Sequence, residues 1–326
     1  QLNDPTLSAF RKQAIFFMPN GAYYKTILQA KDGIEVYGDS PSDYSTDVIA
    51  GKAVDYLSEA PLDKPIFALI TPFASHSTPE SNLPIPAPRH IDDPACQDIE
   101  PWKAPGEGNQ PFDLVKVCES LLAVDDLVKG VKDELERQGR LGNTIFIFTS
   151  DQGMAWGKNG LRAKSNPYST HAPFFVSWPA GRGTEGRIEE TVLSNIDVAP
   201  TLAEAAGVAM GPYPNGQETA DGISFYPLLL DQNTNPNIEN GRKYILEHQP
   251  IGTLRNSAWA AIRATEGAES NYRLIYYKIG NFALYDLSLD PNQENNLAYD
   301  EEYQDVVTKL KGILDDMLKE PNQLLE

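Results

Sequence analysis

The chain has 326 residues, more than one core ordinarily holds, and its 41% hydrophobic and 10% aromatic content is that of a folded globular protein, so one large and one small domain are expected. Its 46 acidic residues against 27 basic ones leave a formal charge of −19, which repels nucleic-acid backbones and anionic membrane surfaces, and no basic patch in the sequence offsets it. Anionic small substrates stay compatible, because a site can carry a metal ion and a Lys or Arg inside an acidic protein.

In chain order, the first element follows the start signal Asp43-Tyr44-Ser45-Thr46-Asp47: Val48, Ile49, Ala53, Val54 and Leu57 recur at helical spacing, and Pro61 and Pro65 stop the run. Ile66 to Ile70 then reads as a buried strand running into Thr71-Pro72-Phe73-Ala74-Ser75-His76. Residues 77 to 111, rich in Pro and Asp without periodicity, read as a long surface excursion. A long amphipathic helix follows from Leu114 to Gly139, with Val117, Leu121, Leu122, Val124, Val128, Val131 and Leu135 as its apolar stripe.

Asn143 to Gly153 reads as a buried strand, and Pro173 to Trp178 as another. Strand, excursion, helix, strand is the order of an α/β fold with a mainly parallel sheet and helices on both faces. Ile196 to Leu202 opens a small helix that Gly207 closes, and the polar stretch Asp231 to Asn237 marks a boundary, dividing the chain into residues 1–232 and 233–326. Beyond it, strands at Lys243 to Glu247, Ala258 to Ala264, Tyr272 to Ile279 and Ala283 to Leu287 and a helix from Glu301 to Leu318 give a small antiparallel sheet backed by a helix.

Chemistry is expected where the strand Asn143 to Gly153 ends. In open α/β sheets ligands gather outside the carboxyl ends of strands, and Asp151 and Gln152 offer hard oxygens suited to Ca²⁺ or Mg²⁺ rather than zinc. The competing reading is an Asx turn that only caps the next segment. Cys96 and Cys118 show no metal-ligand spacing, and one disulfide and two reduced buried thiols both stay open. No run of about 18 apolar residues spans a membrane. The opening Gln1-Leu2-Asn3-Asp4-Pro5 lacks the order of a secretion signal and suggests a start further upstream.

Several segments together resemble the sulfatase family, the formylglycine-dependent sulfuric ester hydrolases of the alkaline-phosphatase-like superfamily. They are Tyr44-Ser45-Thr46-Asp47, Ala74-Ser75-His76-Ser77-Thr78-Pro79, Pro86-Ala87-Pro88-Arg89-His90 and Leu122-Ala123-Val124-Asp125-Asp126, then Asn143 through Gly157 and Asn195 through Leu202. Asp221-Gly222-Ile223-Ser224 with Pro227-Leu228-Leu229, and Leu284-Tyr285-Asp286-Leu287 through Asp290-Pro291 to Asn296-Leu297, complete the family's order. The Pro86 to His90 stretch is similar to glucosamine-6-sulfatase-like members.

The resemblance implies roles residue by residue. Asp151 and Gln152, the latter in place of the usual Asn, become ligands of one divalent cation, Ca²⁺ or Mg²⁺. Lys164 binds the sulfate, His76 protonates the departing oxygen, and His171 contacts substrate. Read without it, Lys164 is a solvated surface lysine and His76 a hydrogen-bonded structural histidine. Gly157 is followed by Asn159 where many members carry His. The family's Cys- or Ser-x-Pro-x-Arg nucleophile motif and its paired upstream carboxylates do not occur. The formylglycine is therefore expected upstream of this chain, which alone should hold half a site and turn over no ester.

The implied substrate is a small-molecule or saccharide sulfate ester, with an exported location by family habit. The alternatives are a phosphate or phosphonate monoester hydrolase of the same superfamily, and a sulfatase-like binding module without catalysis.

Overall fold

A computed structural model describes residues 16–18, 23–30, 33–78, 83–99, 113–154, 167–210, 221–230, 242–249, 258–265, 267 and 269–319. The described residues up to Gly142 form one compact unit and those from Asn143 onward a second, and each is taken by itself.

The first unit opens with an antiparallel three-stranded sheet that the sequence reading did not anticipate: β1 (Phe16–Met18), β2 (Ile27–Ala30) and β3 (Gly33–Val36). Helix α1 (Ser45–Glu59) follows and buries Val48, Ala53 and Leu57, close to the expected stripe. Short α2 (Pro94–Gln97) leads to α3 (Leu114–Arg137), whose first turn is capped by the Asp113 carboxylate accepting from Lys116 N at 3.1 Å. At the other end Gly139, at φ +70, lets the chain turn so that Arg140 N reaches Leu135 O at 2.8 Å. The two long helices pack together, and Gln138 Nε2 donates to Leu57 O at 2.7 Å. Leu121, placed on the apolar stripe from sequence, is exposed, and Ala123 and Leu127 are buried in its stead.

The cysteine question is settled in favour of a disulfide, Cys96 to Cys118, which ties α2 to α3. The expected surface excursion is thereby pinned rather than loose. Fully buried Glu119 adds to the tie, accepting from Asp92 N at 2.7 Å and from Lys116 Nζ at 2.8 Å.

Ile66 to Ile70 is a correction. The segment pairs with no strand among the described residues, and Phe67 and Leu69 are 68% and 79% exposed. An apolar run becomes a buried strand only where neighbours supply its hydrogen bonds and cover its faces. The described residues supply neither.

The second unit contains β4 (Phe146–Thr149) and β5 (Phe174–Ser177), paired antiparallel from Phe146↔Ser177 to Thr149↔Phe174. Parallel pairing, expected from element order, is not found among the described ladders. One face of the pair packs Ile145, Phe174, Val176 and Trp178 on Phe225, Leu228 and Leu229, drawing in α5 (Val198–Ala205), which follows the short α4 (Pro179–Arg182). The other face leaves Phe175 63% exposed, so β4 and β5 are half-covered rather than buried on both sides.

The C-terminal part agrees closely with the expected antiparallel sheet backed by a helix. Strands β6 (Tyr244–Gln249), β7 (Trp259–Ala264), β8 (Tyr272–Tyr277) and β9 (Phe282–Asp286) form one antiparallel sheet in chain order. Alternate residues Ala260, Ile262, Ala264, Leu274 and Leu284 pack on Leu310 and Leu314 of α6 (Gln304–Lys319). The intervening Trp259, Ala261, Ile275, Ala283 and Tyr285 pack on Tyr168 from the turn Pro167–Ser169. Both faces are covered, which is why β7 is apolar at nearly every position. Truncating fully buried Leu284 to Ala should cost about 2–5 kcal/mol in urea unfolding, whereas Leu289→Ala, at an 82% exposed position, should shift stability by less than about 0.5 kcal/mol.

Candidate active site

In the first unit the segment carrying His76 is held by aromatic packing. Tyr23 stacks on Tyr44 with ring centroids 5.6 Å apart and meets Phe73 edge-on at 5.4 Å, and its hydroxyl donates to His76 O at 2.7 Å. Tyr23 and Tyr44 are buried, and burial pushes both phenols well above their usual range, so they act as neutral donors. The His76 ring lies 4.8 Å from that of Phe73. Its Nδ1 is 2.7 Å from the Ser77 carbonyl oxygen, which can only accept. In the neutral ring Nδ1 therefore carries the hydrogen and Nε2 the lone pair. Sequence reasoning missed Tyr23 because it belongs to no motif; it was legible only as one of two adjacent tyrosines.

Three of the segments quoted from sequence meet in one ionic knot. Arg89 donates bidentately to Asp47 of α1, Nη1 to Oδ2 at 2.6 Å and Nη2 to Oδ1 at 2.8 Å, and both Nε and Nη2 reach Asp126 Oδ2 of α3, at 2.9 and 2.7 Å. His90 Nε2 joins the same Asp126 oxygen at 2.8 Å. Hydrogen bonding to Asp47 holds the Arg89 guanidinium firmly charged. For Asp126, burial pushes the carboxyl up, but the bonds from His90 and Arg89 outweigh it and hold it below its ordinary 3.8. His90 is thus engaged with two carboxylates, Asp126 and, at 3.8 Å, Asp93.

In the second unit, β4 ends at Thr149, whose Oγ1 donates to Pro173 O at 2.8 Å beside the start of β5. Asp151, exposed, accepts from Ser150 Oγ at 3.3 Å and takes part in no ion pair among the described residues. Gly153 lies so close to the next segment that a Cβ there would stand 2.3 Å from His171 O and 2.8 Å from Ser169 O. The turn bearing Asp151 and Gln152 therefore rests on the backbone of residues 169–171, which brings His171 to the same edge. Lys164, with Gly157, Asn159 and the rest of 155–166, lies outside the described residues. His76 belongs to the other unit.

The remaining sulfatase-like segments work as structural clips. Fully buried Asp197 accepts from Arg242 Nη1 and Nη2, each at 2.7 Å, and from the backbone N–H groups of Ser194 and Ile223, also at 2.7 Å. Every lone pair it needs is used, as a buried charge demands. Gly222 permits the approach, since a Cβ there would lie 2.0 Å from Ile196 O. At the end of the chain, Asn296 Oδ1 accepts from Leu284 N at 3.0 Å and its Nδ2 donates to Phe282 O at 3.1 Å, clipping β9.

Residues 7–208 match the family model of the sulfatases, and residues 164–320 that of the C-terminal region of N-sulphoglucosamine sulphohydrolase. The first match covers more than half of the chain, which belongs to the sulfatase family. The N-acetylglucosamine-6-sulfatase of Bos taurus is 26% identical over 326 aligned residues, covering 86% of this chain and 56% of its own length. The chain thus spans about half the length of the curated relatives it matches. Among solved structures, BT4656 in complex with its substrate D-glucosamine-2-N,6-O-disulfate superimposes with a TM-score of 0.76 at 20% identity, over 94% of this chain and 76% of that one. The phosphonate monoester hydrolase of Agrobacterium radiobacter gives 0.61 at 20% identity, over 86% and 62%. The fold is accordingly the α/β class expected from sequence, with its small C-terminal antiparallel sheet and helix.

Two outcomes follow from this geometry. Gly153→Ala should displace residues 169–171 and speed proteolysis or hydrogen exchange there, with far smaller change in β6 to β9. The depressed pKa of Asp126 means that its contribution is complete above about pH 4 and is lost as the pH falls through the lower folded value. In acid unfolding followed by circular dichroism, Asp126→Asn should flatten that part of the curve.

Proposed function

We propose that the protein hydrolyses sulfate monoesters, with sugar sulfates as the substrate class. Membership of the sulfatase family supports the reaction, and the bound disulfated glucosamine of the BT4656 structure supports the substrate class. The observation that carries the site is the exposed Asp151 carboxylate at the end of β4, free of ion pairs among the described residues and held there by the glycine contact behind it.

In this reading Asp151 Oδ and the Gln152 amide oxygen hold one divalent cation, Ca²⁺ or Mg²⁺. Their chemistry fits such an ion: two hard oxygens, one anionic, with no thiolate or imidazole between them. The described residues contain no group of three or more His, Cys, Asp or Glu that could hold a metal, so these two supply part of a set that for Ca²⁺ numbers about 6 to 8 oxygens. When bound, the cation polarises the oxygens of the sulfuryl group. No residue of this chain fits the formylglycine, since no Cys- or Ser-x-Pro-x-Arg occurs, and no step is assigned through it.

The chain's own residues then divide the work. His76, with Nδ1–H directed to the Ser77 carbonyl, acts as the imidazolium, in which Nε2 carries a second hydrogen, and delivers that proton to the departing alcohol oxygen. Lys164 offers a point charge to the sulfate oxygens, and His171 contacts substrate from the edge it shares with Asp151. Residues 1–232 hold this chemistry and 233–326 form the flanking small domain.

A phosphate or phosphonate monoesterase is the second reading, favoured by the likeness to the Agrobacterium radiobacter hydrolase. Turnover of an aryl sulfate against the matching aryl phosphate, by the protein at its natural full length, separates the two; a preference for phosphate overturns the sulfatase reading. Asp151→Ala should weaken Ca²⁺ binding at least tenfold by calorimetric titration. His76→Ala should lower kcat about 10²–10⁴-fold for a sugar sulfate and much less for nitrophenyl sulfate, whose leaving group needs no proton.

A further inference from the structure

Arg273 is the most buried cation described in the second unit, 3% exposed on β8, on the sheet face it shares with Ile275 and Tyr277. Nothing about the packing of that face calls for a charge. Its fork reaches four partners: Nη1 donates to Gln293 Oε1 at 2.6 Å, and Nη2 meets Glu247 Oε2, the Pro167 carbonyl at 2.6 Å and Thr170 Oγ1 at 3.3 Å. Glu247 is the carboxylate of this cluster, and Arg263 lies beside Arg273 in register on β7, so two guanidinium groups share one anion.

A buried ion pair of this kind contributes little net stability over well-packed apolar side chains, because desolvation offsets the attraction. What it does supply is direction. The excess positive charge is met by the carbonyl of Pro167, which fixes the turn Pro167–Ser169 on the sheet, and the Tyr168 hydroxyl, 2.7 Å from that of Tyr285, secures the same turn a second time. That turn leads into Ser169 and His171, whose carbonyls are the surface against which Gly153 rests.

We infer that Arg273 is a positioning residue, which sets the seat of the Asp151–Gln152 edge and of His171 from within the C-terminal sheet. The inference rests on the reading of Asp151 and Gln152 as cation ligands. The sheet is then part of the site's geometry rather than an appendage to it, and the path runs from guanidinium to Pro167 carbonyl to residues 169–171 to Gly153. Such support for ligands is of the kind whose removal lowers metal affinity about 10–100-fold.

The test compares the 326-residue chain with Arg273→Met and Arg273→Lys. Hydrogen exchange in segments 146–154 and 167–177 should quicken at least about tenfold more in Arg273→Met than exchange in β7 to β9 does. Arg273→Lys, which keeps one charge aimed at the turn, should recover most of the protection. The apparent Kd for Ca²⁺ should rise about tenfold in parallel. Exchange unchanged within twofold, or raised evenly over the whole unit, overturns the proposal. Should Arg273→Met fail to fold, Arg273→Gln takes its place, and wild-type exchange in both segments of that variant overturns the proposal. A Kd for Ca²⁺ that Asp151→Ala leaves unchanged sinks the cation reading, and the exchange result still decides the positioning role.

Discussion

The second unit depends on one close contact, the backbone of Gly153 lying against the carbonyls of Ser169 and His171. Any side chain there would have to occupy space already filled by main chain, so the residue that follows Asp151 and Gln152 is fixed by steric necessity. This constraint makes two remote stretches of chain into one edge. It also explains why the order Asp151-Gln152-Gly153 carries information beyond its acidic member: the amide and carboxylate gain a fixed origin only because the third position has no Cβ.

The first unit uses charge where the second uses contact. Arg89 collects Asp47 from α1 and Asp126 from α3, and His90 closes on the same oxygen. A planar fork with five donors can bridge two carboxylates with fixed angles, which an ammonium cannot. The exposed position of the knot limits what it adds to stability, but it sets the relation between helices and the Pro86 to His90 stretch. His76 is placed independently, by the stacked tyrosines and the Tyr23 hydroxyl.

How far the sequence could be read depended on whether the relevant forces were local. Helix α3 was legible because its apolar residues repeat at the helical period and Gly139 stops it with a left-handed turn, and β7 to β9 because short apolar and aromatic runs are bounded by turn residues. Ile66 to Ile70 misled because an apolar run states a preference, while a strand also needs a partner and the described residues provide none. The hairpins of β1 to β3 escaped notice, being short and weakly alternating. The sulfatase resemblance singled out Asp151 and His76 as candidates and could not reveal Tyr23, Arg242 or Arg273. Arg242 and Arg273 act by pairing with groups far along the chain, and only folding brings those partners together. Several segments first met as family signatures, around Asp197 and Asn296 above all, are there to hold the frame.

The clip at Asn296 has a consequence for how these molecules coexist. The outer strand of a sheet is a template on which another chain can lay a strand, and proteins that must stay dispersed blunt it. Here one carboxamide engages the Leu284 N–H and the Phe282 carbonyl, while Leu297 N donates to Leu284 O at 2.9 Å. The groups a foreign strand would bind along β9 are therefore already taken by the chain itself. Intermolecular sheet growth, the route by which many β-rich proteins aggregate, is blocked on that flank by a single asparagine and its neighbour.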